Sequence, residues 1–96
     1  MELFYQKVQL AIKRLSVPFG LTEEESDLCC DYAERIGWQN AKPNSIALAL
    51  IRIMKPNIPK KTFYTLGNTE YNTLYKWIST CCEILNLNQN IYKKEK

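Results

Sequence analysis

The sequence predicts an all-α domain of five helices that ends in a helix-turn-helix. Two observations carry this. Apolar residues recur at helical spacings of three and four in successive segments, and proline or glycine separates one segment from the next (Pro18 and Gly20, Gly37, Pro43, Pro56 and Pro59, Gly67). The one continuous apolar run, Ile46-Ala47-Leu48-Ala49-Leu50-Ile51, could also be a buried strand. Its alanines and the lack of any partner strand favour a helix surrounded by others.

The first helix spans Glu2 to Leu15, with Phe4, Val8, Ala11, Ile12 and Leu15 on one face and Gln6, Lys7, Lys13 and Arg14 away from it. Ser16 to Gly20 should break it, because proline restricts the residue before it and glycine gives turn freedom. The second helix opens on a capping box, Thr22 with Glu25, and its glutamates suit the positive helix start. Leu28, Cys29, Tyr32, Ala33 and Ile36 form its inward face and Asp27, Asp31, Glu34 and Arg35 its wet one, with Gly37 closing it and Trp38 returning over the core. After a polar loop, Asn44 or Ser45 caps the third helix, and Ile46 to Met54 is the central element, with Arg52 and Lys55 emerging at its end.

Pro59 suits the first turn of a fourth helix, Lys60 to Leu66. Gly67 is expected to take the left-handed conformation and Thr69 to cap the fifth helix. In that helix Leu74, Trp77, Ile78, Cys81 and Leu85 face inward, leaving Tyr71, Asn72, Tyr75, Lys76 and Thr80 outside. The domain is expected to span 1–85, with the helix-turn-helix at 60–85 and a polar, partly basic tail at 86–96 that frays.

At 96 residues and 46 % apolar content, the chain supports one modest core and no second domain. Histidine is absent, which removes the commonest general base and the commonest zinc ligand together. Glu23-Glu24-Glu25 splay around a helix start that capping already explains, and no phosphate loop, nucleophile elbow or catalytic dyad is present, so no enzyme and no cofactor is expected. Arg52 interrupts the best apolar run well short of the roughly 18 residues that span a bilayer. The N-terminal residues lack a basic region and a cleavage site, which points to an intracellular protein.

The cysteines form two adjacent pairs, Cys29-Cys30 and Cys81-Cys82, both within predicted helices. Helical neighbours point about 100° apart, which does not suit one shared metal ion. Buried free thiols are the expectation, with a disulfide between the pairs as the alternative.

Net charge is +3, unevenly spread. Six acidic residues and no basic one lie between Glu23 and Glu34, whereas Lys42, Arg52, Lys55, Lys60, Lys61 and Lys76 face Glu70 alone from Lys42 to Lys76. A cationic stripe beside a helix-turn-helix is the footprint of a nucleic-acid binder, a solvated mixed surface being the plainer alternative.

Four features in order are similar to one family. These are RLSVP before LTEEESDLCCDYAERIG, then KPNSIALALIRI, the short helix KKTFYTLG, and GNTEYNTLYKW. Over about residues 8 to 85 the chain resembles the second cyclin-like repeat of transcription factor IIB and its archaeal counterparts. The resemblance implies a five-helix cyclin-like domain whose last helix enters the DNA major groove, with Tyr71, Asn72 and Leu74 at the base-reading positions and Lys76 nearby. Leu74 stands where the family usually has an arginine, so the family's sequence preference does not carry over. The family's other repeat and zinc ribbon are missing, which suggests a free-standing relative, of the kind a virus or mobile element encodes, or a fragment of something longer.

The expected partner is double-stranded DNA, in a transcription regulator or initiation-factor-like protein. Asn72 would face adenine, Lys76 guanine or phosphate, and Thr69 and Thr73 phosphate or the thymine methyl. Arg52, Lys55, Lys60 and Lys61 would hold the backbone. The alternative is a cyclin-like module that docks a transcription-machinery or other protein partner, without reading DNA, through its acidic second helix or through Tyr5, Trp38 and Tyr64. Neither a membrane nor a small-molecule substrate is expected.

Overall fold

The computed structural model describes residues 3–87, and within them the chain forms five α-helices and no strand. The helices are α1 (Phe4–Phe19), α2 (Glu23–Ile36), α3 (Pro43–Met54), α4 (Lys60–Gly67) and α5 (Tyr71–Leu85). Most of the predicted tail lies outside the described residues. Its first two residues belong to the domain, because Asn86 closes α5 in the left-handed conformation and Leu87 donates its N–H to the Cys82 carbonyl and packs on the core.

The third helix is the hub. Every residue from Ile46 to Arg52 is buried, and α3 packs against α1, α2, α4 and α5. A helix apolar all round has no wet face to offer, so the other four surround it. Helix α1 lies on α2 and α3, α5 lies mainly on α3 with a lesser contact to α2, and α4 packs on α1 and α3.

Several helix ends differ from the sequence expectation. Helix α1 continues through Pro18 to Phe19. Proline there costs only the bond to the Arg14 carbonyl, one turn from the end, while burying Phe19 against Phe63, with ring centroids 4.9 Å apart, favours the extra turn. Gly20, at φ 69°, then turns the chain out and Leu21 donates to the Ser16 carbonyl at 2.9 Å. Helix α3 begins at Pro43, not at a cap on Asn44 or Ser45, because proline's missing N–H costs nothing at the first helical position and holds Lys42 extended.

The capping box of α2 forms as expected. The Thr22 hydroxyl accepts the Glu25 N–H at 3.1 Å, and the Glu25 carboxylate accepts the Thr22 N–H at 2.9 Å. Farther along, Leu28 is exposed rather than inward, and Trp38 is 71 % exposed rather than folded over the core. Gly37, at φ 70° and ψ −150°, directs the chain away from the core at that point.

Gly67 lies inside α4, and the left-handed residue is Asn68, at φ 51°. Glycine is needed at 67 for space, since a Cβ there would stand 2.7 Å from one methyl of Leu48 and 2.8 Å from the other. Close approach of α4 to α3 is thus made at Gly67, while Leu66 beside it is exposed.

Candidate nucleic-acid interface

Helix α5 separates its faces as the periodicity requires. Leu74, Ile78, Cys81 and Leu85 are buried and Trp77 is half-buried, while Asn72, Thr73 and Lys76 are exposed in the first turn and a half. Leu74 is thus a core residue of α5, and cannot occupy the base-reading position to which the resemblance assigned it. Tyr71 opens the helix; its side chain lies outside the described residues.

The turn before α5 places the expected cap one residue early. Glu70, extended at φ −95° and ψ 151°, is the cap residue, its carbonyl accepting the Leu74 N–H at 3.0 Å. The Thr69 hydroxyl instead turns to the Glu70 carbonyl at 3.5 Å and does not cap. The left-handed step at Asn68 delays the helix by that residue.

Thr69 and Thr73 line a polar hollow of about 390 Å³ with Asn40, Lys42 and Trp77. It adjoins a smaller one of about 200 Å³ reaching Asn44, Leu48 and Gly67, and the two share Lys42, Ser45, Asn68 and Thr69. The α2–α3 loop, the start of α3 and the start of α5 thus meet in one trough. Sequence reasoning named none of Asn40, Ser45 and Asn68 as a site residue. The polar loop around Lys42-Pro43 was the available signal, but only the fold brings it beside α5.

The cations divide into three groups. Lys42 and Lys76 are exposed on or beside α5, and the Lys76 ammonium lies 5.0 Å from the Trp77 ring centroid. Lys61, exposed, lines a separate hollow of about 420 Å³ with Pro59, Thr62, Thr65 and Leu66, and Lys60 beside it is half-buried. Lys55 pairs with Glu25 at 3.1 Å, across the distance from the end of α3 to the start of α2. The Thr22 N–H and then Lys55 hold the Glu25 carboxyl below the usual carboxylate range.

Arg52 cannot contact phosphate. It is only 3 % exposed, donates to the Ile58 carbonyl and stands 5.4 Å over the Phe63 ring. A guanidinium this deep is held by partners already in place, so Arg52 fastens the α3–α4 loop.

All four cysteines are free thiols. Cys29, Cys81 and Cys82 are buried, and the Cys29 thiol donates to the Leu50 carbonyl at 3.8 Å. Burial pushes Cys29 and Cys81 up to about 12, and raises Cys30 and Cys82 as well. Such thiols stay protonated near neutral pH and are poor nucleophiles. Among the described residues no group of three or more His, Cys, Asp or Glu side chains could hold a metal ion, and no helix is long and apolar enough to cross a membrane. Comparison with protein-family models, with curated proteins and with solved structures finds no match to the chain.

Proposed function

We propose that the chain is a DNA-binding protein of the transcription-regulator or initiation-factor type, folded as a cyclin-like repeat, with the N-terminal half of α5 in the major groove. One observation carries the reading. Helix α5 is seated by Leu74, Ile78 and Cys81 and leaves Asn72, Thr73 and Lys76 exposed together at its start, beside the Lys42 trough. Asn72 offers a bidentate amide suited to adenine, Lys76 a donor for guanine or phosphate, and Thr69 and Thr73 hydroxyls or methyls for phosphate or thymine. Lys42, Lys60 and Lys61 supply sequence-independent contacts, with Lys55 a lesser one because Glu25 already engages it.

Fluorescence anisotropy on labelled duplexes tests this. Expected is non-specific binding with Kd on the order of 10⁻⁴ to 10⁻⁶ M that weakens steeply with salt. Lys60→Glu with Lys61→Glu should weaken it across all sequences, and Asn72→Ala should reduce discrimination among sequences. Absence of binding at low salt up to high micromolar protein, or indifference to the lysine reversal, would refute the reading.

A second reading is favoured by Trp38, whose exposed indole stands on the loop beside α5. An aromatic in that position suits a protein partner's pocket. Pull-down with nuclease treatment separates the two, since a partner retained after nuclease favours docking and one lost favours DNA.

A further inference from the structure

Independently of any DNA contact, we propose that α1 and α2 form a self-complementary surface through which two copies of the chain pair about a two-fold axis. Leu3, Leu10 and Val17 follow one another at seven-residue intervals along α1, each more than half exposed. Seven residues is nearly two helical turns, so they make one apolar stripe on the side away from Val8, Ile12 and Leu15. Lys7, Lys13 and Arg14 flank it, and α1 contains no acidic residue.

The outer face of α2 has the opposite chemistry. Glu24, Asp27, Asp31 and Glu34 are exposed there, with Leu28 exposed among them. Leu28, Asp31, Tyr32, Glu34 and Arg35 surround a shallow hollow of about 500 Å³, enough to seat a leucine side chain.

Two hydrogen bonds fix how these faces lie side by side. Ser16 Oγ meets Ser26 Oγ at 3.0 Å, and Gln9 donates to the Cys30 carbonyl at 3.0 Å, so the helices run antiparallel. In that register Lys7 stands near the level of Asp31 and Glu34, and Lys13 near that of Asp27. A two-fold axis running along the helices lays α1 of one copy on α2 of the other at the same levels. Lys7 and Lys13 then each meet acidic residues, Arg14 remaining on Asn44, and Leu10 meets the hollow beside Leu28. The contact occurs twice per pair, which closes it as a dimer rather than a chain. Charge complementarity argues for a second copy as the occupant, because the basic flanks of α1 and the acidic face of α2 stand at matching levels.

Sedimentation velocity on the full chain, from about 5 µM to about 500 µM, reads the equilibrium. Expected is a monomer–dimer exchange that salt weakens. Leu10→Glu and Leu28→Glu, on opposite sides of the contact, should each weaken it about tenfold or more, with unchanged thermal unfolding showing that the monomer remains folded. The decisive pair is Lys7→Glu against Asp31→Lys with Glu34→Lys. Each variant alone should be monomeric, and an equimolar mixture should recover the dimer, because both contacts of the mixed pair regain opposite charges. A monomer throughout the wild-type range, a dimer indifferent to these changes, a mixture that stays monomeric, or growth beyond two copies would each overturn the proposal.

Discussion

Replacing Gly67 with alanine sets two well-characterised effects against each other. In an exposed helix the change stabilises by about 0.4–1 kcal/mol, through helix propensity and a less flexible unfolded chain. Here the added Cβ would stand 2.7 and 2.8 Å from the two methyls of Leu48. Carbon atoms rest about 3.5–4.0 Å apart, so the overlap is roughly 0.7–1 Å or more with both methyls. Leu48 is buried on the hub helix, so its methyls give way only by shifting toward the small hollow they share with Gly67. Overpacking of this kind costs about 1–3 kcal/mol, which set against a gain of about 0.4–1 kcal/mol leaves a net loss of about 1 kcal/mol. For a domain of this size that corresponds to a fall in Tm of about 4–8 °C per kcal/mol. Urea unfolding followed by tryptophan fluorescence measures it, and Leu48→Val in the same chain should recover part of the loss, a coupling of about 0.5 kcal/mol or more. A stabilised Gly67→Ala protein, or strictly additive effects in the double variant, would refute the close-approach argument.

Four further outcomes follow from the core, the caps and the thiols. Arg52→Met removes the donor to the half-buried Ile58 carbonyl and the buried guanidinium's packing, and should cost about 1.5–3 kcal/mol in chemical denaturation, without abolishing the helical circular-dichroism signal. Thr22→Ala should cost about 0.5–2 kcal/mol. Because the Glu25 carboxyl is held below its ordinary value of 4.5, its contribution is present above that value and is lost as pH falls through the lower folded value; a Glu25→Gln chain should therefore lag the wild type at neutral pH and converge with it in acid, as read by thermal melts across pH. Thiol labelling of the native protein at pH 8 should leave Cys29 and Cys81 unmodified until the chain unfolds, with Cys30, the least buried, reacting first by mass spectrometry.

Features with local causes were legible in the sequence. The capping box needs only Thr22 and Glu25, and the inward stripe of α5 needs only its own periodicity. The central place of α3 follows from the absence of a polar face. What escaped depends on residues the sequence does not set side by side. Gly67 is required by Leu48, Lys55 is claimed by Glu25 thirty positions earlier, and Arg52 turns inward because the following loop presents a carbonyl to it. Trp38 misled for a related reason, since its apolar area predicts burial but the backbone at Gly37 decides its direction. At the candidate interface, Asn72 and Lys76 were readable from helical phase, whereas the approach of Asn40 and Ser45 to α5 required the fold.

The seating of α4 has a consequence for how the protein opens. Only Phe63 of α4 is buried, and α4 rests on α1 and α3, while α5 rests on α3 and α2. Detaching α4 exposes Phe63, the Phe19 ring and Leu48 methyls that α4 covers, and the Arg52 anchor, but leaves α1, α2, α3 and α5 supported by one another. The lowest-energy excursion of the native state should therefore be release of this single short helix. Its amides should exchange with solvent at a free energy well below that of α3, with α5 remaining protected.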